Sequence, residues 1–290
     1  MSECDKSSEQ EAIINVIGIG KTGLRAVGKM AGNIHKVNCL GVGILSHDNS
    51  VENELPLVML SKHDRDFGQL LNALVPSDLI FIVAKLGEGY DDFLSNICAA
   101  IHKHDILTVL VIPEPDDVTT LLNTPFGLRA SVDCMIIVDE SSLVSHDPCF
   151  PTIIDETTVS DYLLRLAIEK ITDIITHRSR ISVDFFDIIR ILKGDGLTRL
   201  GTGYASGTDR GVSATVMALS GIKRQWVSLK EIPRLLCNIS GSSEWTFDDV
   251  NDAGRQIHKA VTDETLVIIG VTEHKELKDN IMVTILAAGV

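Results

Sequence analysis

Two places in the chain bring together residue types that can do chemistry at a useful spacing. The first is the stretch 13–30, IINVIGIGKTGLRAVGKM, where an apolar run breaks into Gly18, Gly20 and Gly23 and then becomes helical in pattern. Glycines at a strand-to-helix turn let backbone N–H groups and the helix N-terminus approach an anion, or they do no more than permit a tight turn. Gly20-Lys21-Thr22 has the form of the end of a phosphate-binding P-loop, yet the pattern G-x-x-x-x-G-K-[ST] needs a glycine where Asn15 stands. The spacing Gly18, Gly20, Gly23 also fits G-x-G-x-x-G, but residues 38–46, NCLGVGILS, lack the acid that a dinucleotide ribose requires, and Asp48 is the first beyond them.

The second place is SVDFFD, with Asp184 and Asp187 three residues apart at the start of a helical pattern. By spacing alone Asp184 is an N-cap accepting backbone N–H bonds, and Asp187 is favoured by the helix dipole. Elsewhere, His102 and His104 in IHKHD fall on different helix faces and read as a solvated helix end. Asp116 and Asp117 in PEPDD fit turn or cap chemistry, and Trp226 and Trp245 fit packing.

The elements that must position these residues follow a clear order. Residues 1–11 read as a disordered tail. After them, apolar β-branched runs (AIINVIGIG, VNCLGVGIL, DLIFIVAKLG, LTVLVIPEP, VDCMIIVDE) alternate with amphipathic segments (GLRAVGKMAGNI, FGQLLNALV, DFLSNICAAIHKH). Strands that are apolar throughout and separated by helices imply a parallel sheet covered on both faces, here an α/β domain over 12–155. The segment 156–180 is a long helix with apolar residues on too many sides for one domain, so it is expected between two. Residues 181–290, with PRLLCNIS, TLVIIGV, IMVTILAAG and helical stretches at 208–220 and 247–261, form a smaller α+β domain.

Composition narrows the classes. Of 290 residues 44% are hydrophobic and 23% charged, which is globular, and the formal net charge of -14 without any Lys/Arg cluster excludes nucleic acid or an anionic membrane surface as the partner. Six cysteines without a C-x-x-C pair suggest reduced thiols rather than a zinc or redox site. The polar, acidic start is unlike a signal peptide and no run approaches membrane-spanning length, so a cytoplasmic protein without direct membrane insertion is expected.

The stretch ITDIITHRSRISVDFFDIIRILKGDGLTRLGTGYASGTDRG closely resembles FtsZ of the tubulin superfamily at its helix-to-loop passage, and LLCNISGSSEWTFDDVNDAGRQI and TLVIIGVTEHKELKDNIMVTILAAGV resemble that family's closing strands and helix. INVIGIGKTGLRAVGKM, DLIFIVAKLGEGY, LTVLVIP and VDCMIIVDESSL fall in the same order upstream, so the resemblance covers nearly the whole chain after residue 12. It implies the tubulin/FtsZ fold: a Rossmann-like parallel-sheet GTPase-type domain, a core helix, and an α+β domain. It also implies self or FtsZ-type partners stacked head to tail into protofilaments in cell division, with GTP or GDP as ligand and no metal beyond nucleotide-associated Mg. Asp184 and Asp187 match the carboxylates with which one subunit positions the attacking water in the site of its neighbour, while Ser182 stands where the family has Asn.

The nucleotide-facing loops depart from that pattern. Where the family has G-G-G-T-G-T-G, this chain has KLGEGYDDF, which keeps only Gly87 and Gly89 among Glu88, Tyr90, Asp91 and Asp92. Carboxylates facing a triphosphate repel it, by about 1 kcal/mol per charge pair at 4 Å in bulk water and more when partly buried. Arg25 stands at the guanine-contacting Asn, Glu114 at a Lys, and Ser160 at the base-stacking Asn before Asp161. The resemblance therefore places degenerate nucleotide-binding positions at Gly18, Gly20, Lys21, Thr22, Gly23, Arg25, Gly87, Gly89, Ser160 and Asp161. Two expectations follow: Lys21 and Arg25 serve as new phosphate ligands, or they pair with Glu88, Asp91 or Asp92 and fill the pocket with the chain's own charges. The corresponding functions are an active GTPase that polymerises, or a pseudo-GTPase that caps or modulates filaments of related subunits. A scaffold that polymerises without nucleotide is the third.

Overall fold

The computed structural model describes residues 12–32, 34, 36–44, 55–61, 67–115, 119–120, 126–139, 156–176, 181–194, 196–224, 228–242 and 245–289. The tail at 1–11, Asp116, Asp117 and Trp226 lie outside these residues. The first half runs β1 (Ile14–Ile19), α1 (Gly20–Met30), β2 (Val37–Ile44), β3 (Leu57–Leu60), α2 (Gly68–Leu74), β4 (Leu79–Val83), α3 (Asp91–His102), β5 (Leu107–Pro113), α4 (Phe126–Arg129) and β6 (Cys134–Val138). The second runs α5 (Glu156–Thr176), α6 (Phe185–Leu192), β7 (Leu197–Ser206), α7 (Arg210–Arg224), β8 (Arg234–Gly241), α8 (Phe247–Ala260), β9 (Leu266–Glu273) and β10 (Asn280–Ala288).

One ten-stranded sheet passes through both halves in the order β3-β2-β1-β4-β5-β6-β7-β10-β8-β9. From β3 to β6 every neighbouring pair is parallel, which explains why β1, β4 and β6 are buried at every position and, Asn15 of β1 apart, apolar throughout rather than alternating. The halves are joined where β7 lies parallel to β6 over the pairs Met135↔Leu197 to Ile137↔Arg199. Beyond that seam β10 is antiparallel to both β7 and β8, and β9 closes the edge parallel to β8. The strand β3 carries no clear signal in the sequence because it is four residues long and half exposed.

On one face of the parallel strands α1, α5 and α6 pack through Leu24, Val27, Ile168, Ile171, Ile188 and Ile191; on the other, α2 and α3 pack through Leu70, Leu74, Phe93 and Ile97. The second half has its own core of Ala218, Ile222, Ile239, Ile257 and Ile285 beneath α7 and α8. The long helix α5 buries Leu163, Leu164, Leu166, Ala167, Ile168, Ile171 and Ile174, and it touches α1, β5, β6 and β9. A helix apolar around most of its circumference is stable only with neighbours on several sides, and each buried Leu or Ile there contributes about 1.5–3 kcal/mol.

Candidate functional site

The loop cluster at the C-terminal ends of β1 and β4 is where the candidate residues converge. Gly18 and Gly23 are there for close approach: a Cβ on Gly18 would lie 2.4 Å from the Gly23 carbonyl oxygen, and one on Gly23 would lie 2.1 Å from that of Val83. The turn of β1 into α1 therefore presses directly on β4, with no room for side chains. Gly20 opens α1 at φ +72, and a Cβ there would meet the Glu88 carboxylate at 2.9 Å and the Tyr90 ring at 3.1 Å. Glu88 and Tyr90 thus lie against the face of the first loop.

Glu88 is held in that position by Thr22, whose hydroxyl donates to Glu88 Oε1 at 2.6 Å. Its Oε2 is buried and accepts no hydrogen bond within the described protein. Burial, and then the Glu88 charge, push the Tyr90 phenol above its ordinary range. Gly87 and Gly89 keep left-handed backbone at φ +82 and +81, and the Gly87 N–H donates to both oxygens of Asp91 at 3.1 and 3.2 Å. The loop thus turns a backbone donor toward its own carboxylate.

Arg25 of α1 is turned toward the core helix α5. It forms a fork on Asp161 of α5: Nε donates to Oδ2 at 2.9 Å and Nη2 to Oδ1 at 3.0 Å. Lys29 adds a third bond, Nζ to Oδ2 at 2.9 Å. Asp161 is 1% exposed, and two cations surround its carboxylate with three charge-assisted hydrogen bonds. The physical reason is helix geometry: Arg25 and Lys29 are four residues apart on α1, which packs against α5. Ser160 precedes Asp161 on α5 and is half-buried.

Lys29 went unnoticed in the sequence, although the signal was present. Lys21, Arg25 and Lys29 recur every four residues, and Asp161 interrupts an apolar helix, where a carboxylate needs a cation.

Asp184 and Asp187 are remote from this cluster. They form a reciprocal capping box at the start of α6: the Asp187 N–H donates to Asp184 Oδ1 at 2.7 Å, and the Asp184 N–H to Asp187 Oδ2 at 3.4 Å. The segment entering α6 is fixed beside the C-terminal end of α5, where the Val271 N–H donates to the Ile181 carbonyl and His274 stands 3.8 Å from Asp173. From Asp161 to Thr176 the rise of α5 is about 22 Å, so the segment entering α6 lies near the far end of that helix from Asp161. Asp184 is exposed, and Phe186 beside it is 74% exposed.

His102 ends α3 and His104 follows in the next turn, both exposed. Among the described residues no cluster of three or more His, Cys, Asp and Glu side chains is placed to hold a metal ion, and no helix is long and apolar enough to cross a membrane.

A parallel sheet with glycine turns at its strand ends, a core helix bound to α1, and a mixed sheet continuing beyond it define the tubulin/FtsZ fold class. Solved structures agree: a mutant FtsZ of M. jannaschii has a TM-score of 0.80 at 19% identity, covering 97% of this chain and 92% of that one. CetZ2 of Haloferax volcanii, described as a GTPγS-bound protofilament, has a TM-score of 0.69 at 16% identity, covering 96% and 93%. Residues 196–290 match the model for the FtsZ family, C-terminal domain. Cell division protein FtsZ 2 of Rhizobium meliloti is 24% identical over 309 residues, covering 98% of this chain and 89% of its own. Residues 196–290 thus carry an FtsZ-family C-terminal domain, and the chain as a whole has the tubulin/FtsZ fold and is similar to cell division protein FtsZ over nearly its whole length.

Proposed function

We propose that this chain is a pseudo-GTPase subunit that docks its α6 edge onto an FtsZ-type neighbour and caps or modulates the filament. The single observation that supports this most is the saturation of Asp161 by Arg25 and Lys29, with Glu88 standing over Gly20 on the same surface. A carboxylate forked by a guanidinium and bonded by an ammonium has little acceptor capacity left for a bound base, and Glu88 with Asp91 repels a phosphate chain. The residues present therefore do not fit a nucleoside triphosphate, and no hydrolytic step is assigned to them.

The two ends of the subunit would then be unequal. Asp184, Asp187 and exposed Phe186 form an edge able to meet a nucleotide-bearing partner, whereas the face with Glu88, Asp91 and Asp92 would repel a second copy's carboxylates. CetZ2 is described as a protofilament, which makes stacking along one axis the natural geometry for an edge of this kind.

The test is a GTP titration of the purified chain together with pelleting alone and with an FtsZ. The reading expects no micromolar GTP binding, no pelleting alone, and altered pelleting of the FtsZ at substoichiometric ratios. GTP-dependent pelleting of the chain alone supports the active polymerising GTPase instead, a reading favoured by the retained Asp184 and Asp187. Pelleting alone regardless of nucleotide supports the scaffold.

A further inference from the structure

The sheet ends on β9, which has a strand, β8, on one side only. The N–H and C=O of one strand residue point to the same side, and the side alternates along the strand. The Leu266 N–H donates to the Pro233 carbonyl at 2.9 Å beside β8, while the Val271 N–H donates to the Ile181 carbonyl at 3.0 Å on the other side. The even-numbered residues of β9 therefore face β8 and the odd-numbered ones face outward. Ile181 occupies Val271 in an antiparallel bridge, and the chain leaves the edge at Asp184 to enter α6. The outward groups of Val267 and Ile269 meet no hydrogen-bond partner among the described residues.

This edge is built to pair. Open edges are ordinarily guarded by Lys, Pro or a bulge, yet from Leu266 to Val271 β9 reads LVIIGV and is paired in unbroken register with β8. Leu266 to Ile269 are half-buried: Leu266 and Ile268 pack toward the core shared with α5 and α6, and Val267 and Ile269 toward the core beneath α7 and α8. On the α8 side a glycine stands over the edge, since a Cβ on Gly254 would lie 3.7 Å from the Ile269 side chain. An added strand thus finds four free backbone groups with apolar surface on both of its sides. At the start of β9, Asp263 and Glu264 are exposed.

We propose that the β9 edge accepts an extended segment of a different protein, running antiparallel to β9, with β-branched residues beside Val267 and Ile269 and a Lys or Arg at its C-terminal end beside Asp263 and Glu264. Addition of a strand to an open edge draws affinity from main-chain bonds and specificity from the flanking side chains. The Ile181 bridge already has the antiparallel sense, which is the more stable pairing. A second copy fits poorly: in the two-fold register that pairs Val267 with Ile269, Asp263 faces Glu273 and Thr265 meets Val271, which Ile181 already holds. Each copy also carries a net charge of -14, whereas a basic segment is attracted. The inference stands whether or not the chain binds GTP.

The probe is the peptide acetyl-Thr-Val-Thr-Val-Thr-Lys-Arg-amide, titrated into the isotopically labelled full chain and followed by amide chemical shifts. Saturable shifts are expected at Val267 and Ile269, and an analogue N-methylated throughout is expected to bind at least about tenfold more weakly. Val267→Pro removes an outward N–H without touching the ladder to β8, and it is expected to weaken the peptide several-fold, read at Ile269. Asp263→Lys combined with Glu264→Lys, both at exposed positions, is expected to weaken it about threefold and to favour a peptide ending in Glu-Glu instead. No saturation, equal binding of the N-methylated analogue, or unchanged affinity in the charge variant overturns the proposal. Self-association seen by sedimentation and lost in Val267→Pro also overturns it, by giving the edge to a second copy. Should Val267→Pro not fold by circular dichroism, the peptide comparison and the charge variant still decide.

Discussion

Arg25 on α1 and Asp161 on α5 face each other as a two-pronged ion pair, 2.9 and 3.0 Å long, although 136 residues separate them in the chain. The pair fastens the first helix to the core helix, and its carboxylate is almost wholly removed from water.

Removing one partner of such a pair leaves a buried charge with only Lys29 beside it. Arg25→Ala is expected to destabilise the chain by about 2–4 kcal/mol, read as a lowered urea midpoint. Arg25→Lys recovers only part of this, because an ammonium cannot form the fork. An Arg25→Ala chain as stable as wild type would show that the pair does not hold the helices together.

The capping box at α6 separates structure from docking. Asp184→Ser keeps an N-cap acceptor and removes the carboxylate, so stability is expected to change by less than about 0.5 kcal/mol, whereas Asp184→Ala costs about 1 kcal/mol. Under the proposed function, Asp184→Ser nonetheless loses its effect on FtsZ pelleting. Retained activity in that variant would leave docking to Phe186 and its surroundings.

Asp249, at the start of α8, offers a pH test. Burial alone would raise its carboxyl, but the hydrogen bonds from Arg210 and Thr246 outweigh it and hold the group below its ordinary range. A depressed folded value means the stabilisation is fully present above the unfolded value of about 3.9 and is lost as pH falls through the folded one. The stability difference between wild type and Asp249→Asn should be about 1–2 kcal/mol at neutral pH and should shrink below about pH 4. Urea midpoints measured from pH 3 to 7 check it.

Burial raises the Cys39 thiol to about 11 and the Cys134 and Cys237 thiols to about 12, and it raises Cys98 as well. Thiolate is the reactive form, so at pH 8 a native chain should label at none of Cys98, Cys134 and Cys237, and only slowly at Cys39. Peptide mapping after brief alkylation with and without urea reads the difference. Rapid native labelling of Cys237 would contradict the packing under α7 and α8.

Much of the fold was legible because the central strands are largely apolar runs and the longer helices repeat an apolar face every three or four residues. The strands β1, β2, β4, β5 and β6 and the long helix α5 carry this local signal, and the N-cap at Asp184 was legible from its spacing to Asp187. The pairing of Arg25 was not legible, because loop carboxylates such as Glu88 and Asp91 look equally suited until the helix positions are known. Which acid lies opposite a cation is set by how α1 crosses α5, a property of packing between elements distant in sequence. Likewise the fusion of both halves into one sheet depends on three residue pairs between β6 and β7, too few to leave a pattern of their own.

Glu88 has a kinetic and thermodynamic consequence of its own. A group tethered to the chain meets its site at a fixed effective concentration, in the millimolar range for short flexible connections. A solute contending for the same surface must exceed that concentration weighted by its own affinity, whatever its abundance in the surrounding medium. The conformation at Gly20 is in this sense unaffected by dilution of the protein, and a free anion alters it only above that threshold.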